Sequence, residues 1–340
     1  MTMPPTVSDN NSRRFSAHSQ IAGPRVAAVI APCSARKAVA AAESARAVSL
    51  PQAAQSVLET AWQRRLSELP TCLAASDLYR GRGFGTAGRA AVRARCDFFI
   101  ASAGLGLVRA DRDVPAYGLT VTGGEGPDAV RGRVKGDFDP ASWWRALQNG
   151  PYATAFREVF QGDGLIVIAL SHAYARLLSD DLSALDEACL SRLRIVGADL
   201  ARHLPERVCT AALLPYDGRL DRLVPGVRGD FCQRGLGHFV DLLAGERASA
   251  PGATDIAAHR SMVEDALGVA KMEPAPQRSR VTDAIIAQRI SAHLSASASP
   301  PSVSRLLRAV RDEDGIACEA TRFARLYRSV TQTEPEGAAR

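Results

Sequence analysis

The chain has 340 residues, of which 46% are hydrophobic and 23% are charged. This composition is typical of a globular protein, and the length predicts two domains, or one large domain with a smaller one. No apolar run approaches the ~20 residues that cross a bilayer, which excludes a helical membrane protein and predicts no membrane partner. Residues 1–24 are polar and rich in Ser, Asn and Pro, so we expect a disordered tail rather than a secretory signal.

The positive charge has an unusual make-up. Forty-two residues are basic, but only three of them are lysines: Lys37, Lys135 and Lys271. Almost all positive charge therefore lies on planar guanidinium groups, which suit phosphates and base edges. A net charge of +6 over the whole chain permits nucleic-acid binding but does not require it.

The cysteines and histidines do not indicate a metal site. The seven cysteines form no CxxC pair, and the six histidines are scattered, so no zinc-ligand spacing occurs. Cys96 and Cys209 belong to or flank apolar runs and are interpreted as small buried residues. We therefore expect a protein of the reducing cytoplasm with no structural metal and no cofactor.

Apolar runs alternate with helical patterns over the first two thirds of the chain. The runs predict five buried strands, at 26–31, 97–102, 165–170, 193–197 and 208–214. Helical patterns lie between them, at 38–69 with a break at Pro51, 84–95, 141–160 with Asp139 or Ser142 as N-cap, and 177–190. The Gly-rich segment 123–136 predicts a surface loop. This alternation indicates an α/β fold over 25–245, a three-layer, mostly parallel sheet flanked by helices.

The character of the chain changes after residue 244. A polar linker is predicted at 246–252, and a small helical C-terminal domain at 254–330. Its helices are expected at 255–267, 282–294, 302–311 and 321–329. Short helices with basic faces suggest a winged-helix-like or helix-turn-helix-like module. A helical cap packed on the first domain is an equal alternative.

Polar residues follow the first predicted strand, at the edge of the sheet where α/β proteins bind ligands. They are Cys33, Ser34, Arg36 and Lys37. If a helix begins here, Ser34 can cap it while N–H groups and two cations face a phosphate or carboxylate; a plain capped helix is the alternative. Cys33 is a candidate nucleophile because nearby cations lower a thiol pKa, but a small residue filling the strand end is favoured.

Two further segments carry candidate ligand contacts. Tyr79 and Arg80 lie in a loop that could stack a base and clamp a phosphate, unless it is a solvated turn. Ser102 ends the second strand, and Gly104 allows a close backbone approach to a ligand. Tyr117 follows on a loop that could reach the same cleft, or its ring is partly buried.

Carboxylates and one histidine are candidates for catalysis. Asp217 and Asp221 follow the predicted fifth strand, with Arg219 between them. Such carboxylates can act as a base, as a nucleophile or as stabilisers of an oxocarbenium-like centre. Interleaved Asp and Arg more often form a structural ion-pair network. His172 follows the third strand and is a candidate general acid or base, although lone histidines are usually structural.

Four motifs follow the first strand in order. They are PCSARK at 32–37, DLY at 77–79, IASAGLGL at 100–107 and PAYGLT at 115–120. Together they resemble a bacterial domain family of unknown function that is similar to the uracil-DNA-glycosylase-like domain of archaeosine-type tRNA-guanine transglycosylases and archaeosine synthases. The resemblance covers about residues 25–122. It implies a three-layer α/β domain that acts in nucleic-acid modification, phage defence or a mobile element.

These observations favour a nucleic-acid-associated protein whose α/β domain binds a nucleotide or base, with DNA or tRNA as partner. If the protein is an enzyme, the expected reaction is cleavage or exchange of an N-glycosidic bond. Arg36 and Lys37 would then hold phosphate, Asp217 or Asp221 would stabilise positive charge, and Tyr79 or Tyr117 would stack on the base. One alternative is an enzyme for a small nucleoside or sugar phosphate; another is a non-catalytic subunit with protein partners.

Overall fold

The computed structural model describes residues 25–122, 126–246, 255–270, 277–297 and 301–332. Three predicted segments lie wholly or partly outside the described residues: the tail at 1–24, the loop through its residues 123–125 and the linker through its residues 247–252. The chain divides into two compact units, Met1–Lys271 and Met272–Arg340. Among the described residues, no helix combines the length and apolar character needed for a bilayer crossing.

The first unit is built on a five-stranded sheet. Its strands are β1 (Val26–Pro32), β3 (Asp97–Ser102), β4 (Gly106–Arg109), β6 (Leu165–Ala169) and β7 (Leu193–Val196). Their order is β4-β3-β1-β6-β7, and all neighbours are parallel except β4, which is antiparallel to β3. The short strands β2 (Leu73–Ala74) and β5 (Asp113–Val114) form a separate antiparallel pair.

Eleven described helices belong to the first unit and three to the second. The first set is α1 (Gln55–Glu68), α2 (Ala75–Leu78), α3 (Arg82–Ala94), α4 (Pro140–Gln148), α5 (His172–Leu177), α6 (Ser179–Ser183), α7 (Glu187–Arg192), α8 (Glu206–Ala212), α9 (Leu220–Leu223), α10 (Phe231–Glu246) and α11 (Ile256–Gly268). The second set is α12 (Asp283–Ser295), α13 (Val303–Asp312) and α14 (Ala320–Gln332).

The sheet buries both of its faces, because successive side chains of a strand point to opposite sides. Ile30 and Ile168 pack on one face with side chains of α1, α4 and α5–α8. Val29 and Val167 pack on the other face with side chains of α3, α10 and α11. The three-layer, mostly parallel α/β architecture is therefore confirmed.

The predicted fifth strand at 208–214 is wrong, because this segment forms α8. Val208 and Ala212 are buried four residues apart, which is the spacing of one helix face. A short apolar run of this kind fits a buried strand and a buried helix equally well. The end of the segment meets the sheet through an isolated parallel bridge between Leu213 and Ile195, in which Leu214 N–H donates to Ile195 C=O.

The helix predicted from residue 38 is present only as α1. Residues 38–50 contain two single 3₁₀ turns, Glu43–Ala45 and Ala47–Ser49. Their neighbouring backbone groups bond to other loops: Ala47 N–H donates to Gly118 C=O, and Gly118 N–H donates to Ala45 C=O. These tertiary hydrogen bonds override the helix propensity of the alanines.

Two other predicted helices are broken. In the segment 141–160, α4 begins at the Asp139 N-cap and ends before Gly150, and a 3₁₀ turn follows at Phe156–Phe160. The segment 177–190 is divided among α5, α6 and α7. The helix at 84–95 is confirmed as α3, and β1, β3, β6 and β7 lie where they are predicted.

The second unit has its own core, in which Ile286 and Ile290 of α12 pack with Leu306 of α13 and Phe323 of α14. In its described residues, no strand accompanies these helices, so the wing of a winged-helix module is not seen there. The helix predicted at 255–267 is present as α11, but it belongs to the first unit. His259 of α11 accepts a hydrogen bond at Nδ1 from Arg194 of β7, at 2.8 Å, which ties α11 to the sheet of the first unit.

Candidate functional site

The order of the strands creates a crevice between β1 and β6. From β1 the chain continues to β3, toward one edge of the sheet, and from β6 it continues to β7, toward the opposite edge. In open α/β sheets, ligands bind at such a switch point, outside the carboxyl ends of the strands. Cys33 follows β1 directly, and its sulfur lies 3.2 Å from the phenol oxygen of Tyr174 on α5, just after β6. These two strand ends therefore meet at the crevice.

Three hydroxyl groups adjoin this contact. The Tyr117 oxygen lies 2.7 Å from the Ser102 hydroxyl and 3.0 Å from the Tyr79 oxygen, and Tyr79 donates to Ser102 at 3.1 Å. The Tyr117 oxygen is also 3.8 Å from the Cys33 sulfur. We refer to Cys33, Tyr79, Ser102, Tyr117 and Tyr174 as the tyrosine cluster. It brings together residues from all four sequence motifs and from α5.

Burial sets the protonation of the tyrosine cluster. Tyr79 and Tyr117 are each 1% exposed. Burial, and next the nearby Cys33, raise the pKa of Tyr79, Tyr117 and Tyr174 well above the usual value. The phenols are therefore neutral at pH 7 and act as hydrogen-bond donors as well as acceptors. The stacking role predicted for Tyr79 and Tyr117 does not hold in this structure, because neither buried ring offers a free face.

Gly104 has a packing role instead of the predicted role in ligand approach. It lies in the turn between β3 and β4, and a Cβ atom there would overlap the Tyr117 ring. The Ser102 hydroxyl accepts from the N–H of Leu105 in the same turn at 3.0 Å. Strand β4 was not expected from the sequence, although glycine at position 106, with φ of 82°, is typical of a hairpin turn.

Lys37 lies against the tyrosine cluster. Its Nζ atom is 4.3 Å from the centre of the Tyr117 ring and 5.8 Å from that of Tyr79, within cation–π distance. Burial lowers the pKa of Lys37, and the opposing effects of Cys33 and Asp128 are smaller. The amine is therefore more readily deprotonated than that of an ordinary surface lysine.

The predicted anion site at a helix N-terminus is wrong, because no helix follows Lys37. The Ser34 hydroxyl does not cap a helix; it lies 2.7 Å from the carbonyl oxygen of Arg36 and 2.5 Å from that of Arg80. Arg80 N–H also donates to Arg36 C=O at 2.9 Å. These contacts hold the backbones of Arg36 and Arg80 together. Both arginines are exposed, so their side chains are available to a phosphate.

A cavity of about 510 Å³ opens at the carboxyl ends of β6 and β7. Its lining includes the predicted residues His172 and Asp221, with Asp199, Arg228 and Phe231. His172 Nε2 lies 2.9 Å from the carbonyl oxygen of Ala198, which orients the imidazole. The remaining lining residues are Leu170, Ser171, Ala173, Ala198, Gly218, Gly229 and Cys232.

Asp221, which lines the cavity, also belongs to a chain of ion pairs. Arg234 donates to Asp221 at 2.6 Å and to Asp230 at 2.8 Å, and Asp230 also pairs with Arg82 at 2.7 Å. Burial disfavours the Asp230 anion, but hydrogen bonds from Arg234 and Arg82 outweigh it and lower the pKa of Asp230. The Asp221 side chain is 54% exposed, so it can still meet a ligand.

Asp217 and Arg219 lie apart from this chemistry. Arg219 pairs with Asp217 at 2.8 Å and with Glu264 of α11 at 2.7 Å. Burial opposes ionisation of Asp217, but the Arg219 hydrogen bonds prevail and lower its pKa. Neither side chain lines the cavity, so the geometry favours the structural ion-pair interpretation over the predicted catalytic and binding roles.

Two cavity residues were not singled out from the sequence. Asp199 follows β7 in a left-handed conformation, with φ of 53°, and Phe231 begins α10. The position of Asp199 just after the predicted fourth strand was a usable signal. No sequence signal indicated Phe231, because its position in the cavity wall depends on how α10 packs.

Within the described part of the chain, no group of three or more His, Cys, Asp or Glu side chains is placed to hold a metal ion. Comparisons with protein-family models, curated proteins and solved structures found no match for this chain.

Proposed function

We propose that the first unit binds a nucleotide or nucleobase at the carboxyl edge of its sheet, as part of a protein that acts on DNA or tRNA. The observation that carries this proposal is the 510 Å³ cavity, lined by an imidazole, two carboxylates, a guanidinium and an aromatic ring. Small-molecule sites typically occupy about 300–1,000 Å³ and combine apolar walls with a few polar groups.

The phosphate and the base of a nucleotide each have a counterpart in the cavity. The exposed Arg228 suits a phosphate, since guanidinium groups bind phosphate oxygens in pairs. Asp199 and Asp221 supply acceptors for the edge of a base, and His172 leaves its Nδ1 atom for a ligand because Nε2 donates to the Ala198 carbonyl. Phe231 provides an apolar surface for the base.

The same groups support cleavage or exchange of an N-glycosidic bond. Such a reaction passes through an oxocarbenium-like sugar, which a nearby carboxylate stabilises. Asp221 is the favoured carboxylate because it lines the cavity, whereas Asp217 does not; each is paired with an arginine, Asp221 with Arg234 and Asp217 with Arg219. His172 is the candidate proton donor to the departing base.

The charge of the second unit supports a nucleic-acid partner. Its described residues contain nine arginines against five carboxylates. Arg305 and Arg308 on α13 are exposed, as is Arg328 on α14. Guanidinium groups of this kind neutralise backbone phosphates, and binding then weakens with added salt. We also propose the cytoplasm as the location, because all seven cysteines are free thiols.

Equilibrium binding of mononucleotides and labelled single- and double-stranded oligonucleotides tests the proposal. Arg228→Ala and Asp221→Asn should weaken mononucleotide binding about tenfold or more, the loss of one charged hydrogen bond. The double variant Arg305→Ala/Arg308→Ala should weaken oligonucleotide binding and reduce its salt dependence, while mononucleotide binding is unchanged.

Arg64→Ala is the matched control, because Arg64 lies on α1 with a side chain that is 83% exposed. It should change neither affinity. Binding of mononucleotides alone would favour the small-molecule enzyme over the nucleic-acid protein. Absence of both interactions at low salt would contradict the proposal and leave the non-catalytic subunit as the better interpretation.

A further inference from the structure

Lys37 is an amine where this chain almost always uses a guanidinium. Only three of its 42 basic residues are lysines. Arginine stays protonated in proteins, whereas a buried lysine can lose its proton and become a nucleophile. A site that needed only a cation on the tyrosine rings would be served at least as well by arginine.

The surroundings of Lys37 favour a reactive amine. Nζ lies 4.3 Å from the centre of the Tyr117 ring, on a side chain that is only partly exposed. The half-buried thiol of Cys33 and the carboxylate of Asp128 are close enough to affect its pKa, and the rings of Tyr79 and Tyr117 lie beneath it. The amine is therefore desolvated by apolar rings but still open to a ligand.

We propose that Lys37 forms an imine with the aldehyde of a ring-opened sugar phosphate. Arg36 and Arg80, exposed and joined through their backbones, are the groups that would hold the phosphate. The choice of a sugar phosphate rests on the proposed function, because loss of a base from a nucleotide leaves a sugar whose open form carries this aldehyde. The reactivity of the amine does not depend on that function.

The step balances without an added oxidant or reductant. The free amine of Lys37 attacks the carbonyl carbon, and a C–N bond forms as the carbonyl oxygen takes up a proton. The resulting carbinolamine loses its hydroxyl group as water, and the second amine proton leaves as the C=N bond forms. One water molecule is released for each imine. The nitrogen lies over the rings of Tyr79 and Tyr117, which shield it from water.

The groups that face Lys37 set its pH dependence. Burial against Tyr79 and Tyr117 favours the free amine, whereas Cys33 and Asp128 favour the charged form, and burial is the larger effect. Imine formation should therefore persist to lower pH at Lys37 than at the exposed Lys135.

The first test uses the full-length protein with limiting formaldehyde and cyanoborohydride, which reduces each imine to a stable methylamine. Peptide mass spectrometry then compares the lysines. More label on Lys37 than on Lys135 at neutral pH supports the proposal, because Lys135 is the more exposed. Label confined to the other lysines would overturn it, whatever the outcome for nucleotide binding.

The second test traps deoxyribose 5-phosphate, or an oligonucleotide with an abasic site, by borohydride reduction. A covalent adduct at Lys37 is expected, lost in Lys37→Arg and retained in Lys135→Arg. Adducts with the oligonucleotide alone would place the sugar within nucleic acid; adducts with the free sugar alone would place it in metabolism. If formaldehyde labels Lys37 but neither sugar is trapped there, the proposed ligand class is wrong even where nucleotides bind the cavity.

Discussion

The sulfur of Cys33 lies 3.2 Å from the phenol oxygen of Tyr174, so the ends of β1 and β6 are joined across the crevice of the sheet. Tyr174 and His172 both belong to α5. One helical turn therefore contacts the tyrosine cluster through Tyr174 and the cavity through His172. The two parts of the candidate site therefore share this element.

Gly104→Ala should destabilise the first unit. A methyl group at this position overlaps the Tyr117 ring, which hydrogen bonds with Ser102 and Tyr79 prevent from moving freely. Overpacking of this kind costs about 1–3 kcal/mol of the free energy of unfolding. Chemical denaturation followed by circular dichroism measures the change.

Gly245→Ala is the control for this substitution. Gly245 lies on α10 with nothing near its Cβ position, so alanine should be neutral or stabilise by up to about 1 kcal/mol through helix propensity. Equal effects of the two substitutions would show that the contact between Gly104 and Tyr117 is not a tight one.

Tyr117→Phe should lower stability by about 1–2 kcal/mol, because its hydroxyl is a shared partner of Tyr79 and Ser102 in a buried network. Tyr152→Phe is the matched change, since among the described residues the Tyr152 hydroxyl donates to the Leu66 carbonyl alone, at 3.5 Å, where a hydrogen bond is weak. We expect the second substitution to have little effect in the same unfolding measurement. A larger loss from Tyr152→Phe would refute the network.

The sheet could be predicted from the sequence where a strand is a short β-branched run between helical patterns. Ile166 and Ile168 alternate with Val167 between the two core layers, so their run is apolar throughout. Residues 208–214 have a similar composition but form a helix, because the decision depends on packing against β7. Local pattern does not contain that information.

The candidate site could also be predicted only in part, because strand order can be inferred from the sequence whereas side-chain packing cannot. Cys33 and Ser102 follow neighbouring parallel strands, so topology brings them together. The burial of Tyr79 was not predictable, because it requires the rings of Phe84 and Tyr117 to close around it. The role of Gly104 likewise depends on the position of Tyr117 and not on the local sequence.

Asp217→Asn and Asp221→Asn should differ in their effect on nucleotide binding. Asp217 forms a partly exposed ion pair with Arg219, so its replacement should cost no more than about 1 kcal/mol of stability and leave nucleotide binding intact. Asp221→Asn removes a half-exposed pair with Arg234, which also costs no more than about 1 kcal/mol of stability, but it should weaken binding in the cavity. Thermal unfolding and nucleotide titration of the two proteins, side by side, separate the roles. Loss of binding only in Asp217→Asn would reverse the assignment.

Asp230→Asn should reduce the free energy of unfolding by about 3 kcal/mol at pH 7, because it breaks a buried pair with Arg234. The arginine hydrogen bonds hold the folded-state pKa of Asp230 below its unfolded value. Its stabilisation is therefore fully present above the unfolded pKa, near ~3.9, and is lost as pH falls through the lower folded-state pKa.

The difference between the wild-type protein and Asp230→Asn should thus be constant above about pH 5 and shrink on further acidification. Denaturant unfolding at a series of pH values measures it. Asp111→Asn is the control, because the Asp111 side chain is 71% exposed and its pair with Arg109 should contribute less than about 1 kcal/mol. A difference for Asp230→Asn that does not change with acid would mean that the charge of this carboxylate contributes nothing, and that only its shape matters to α10.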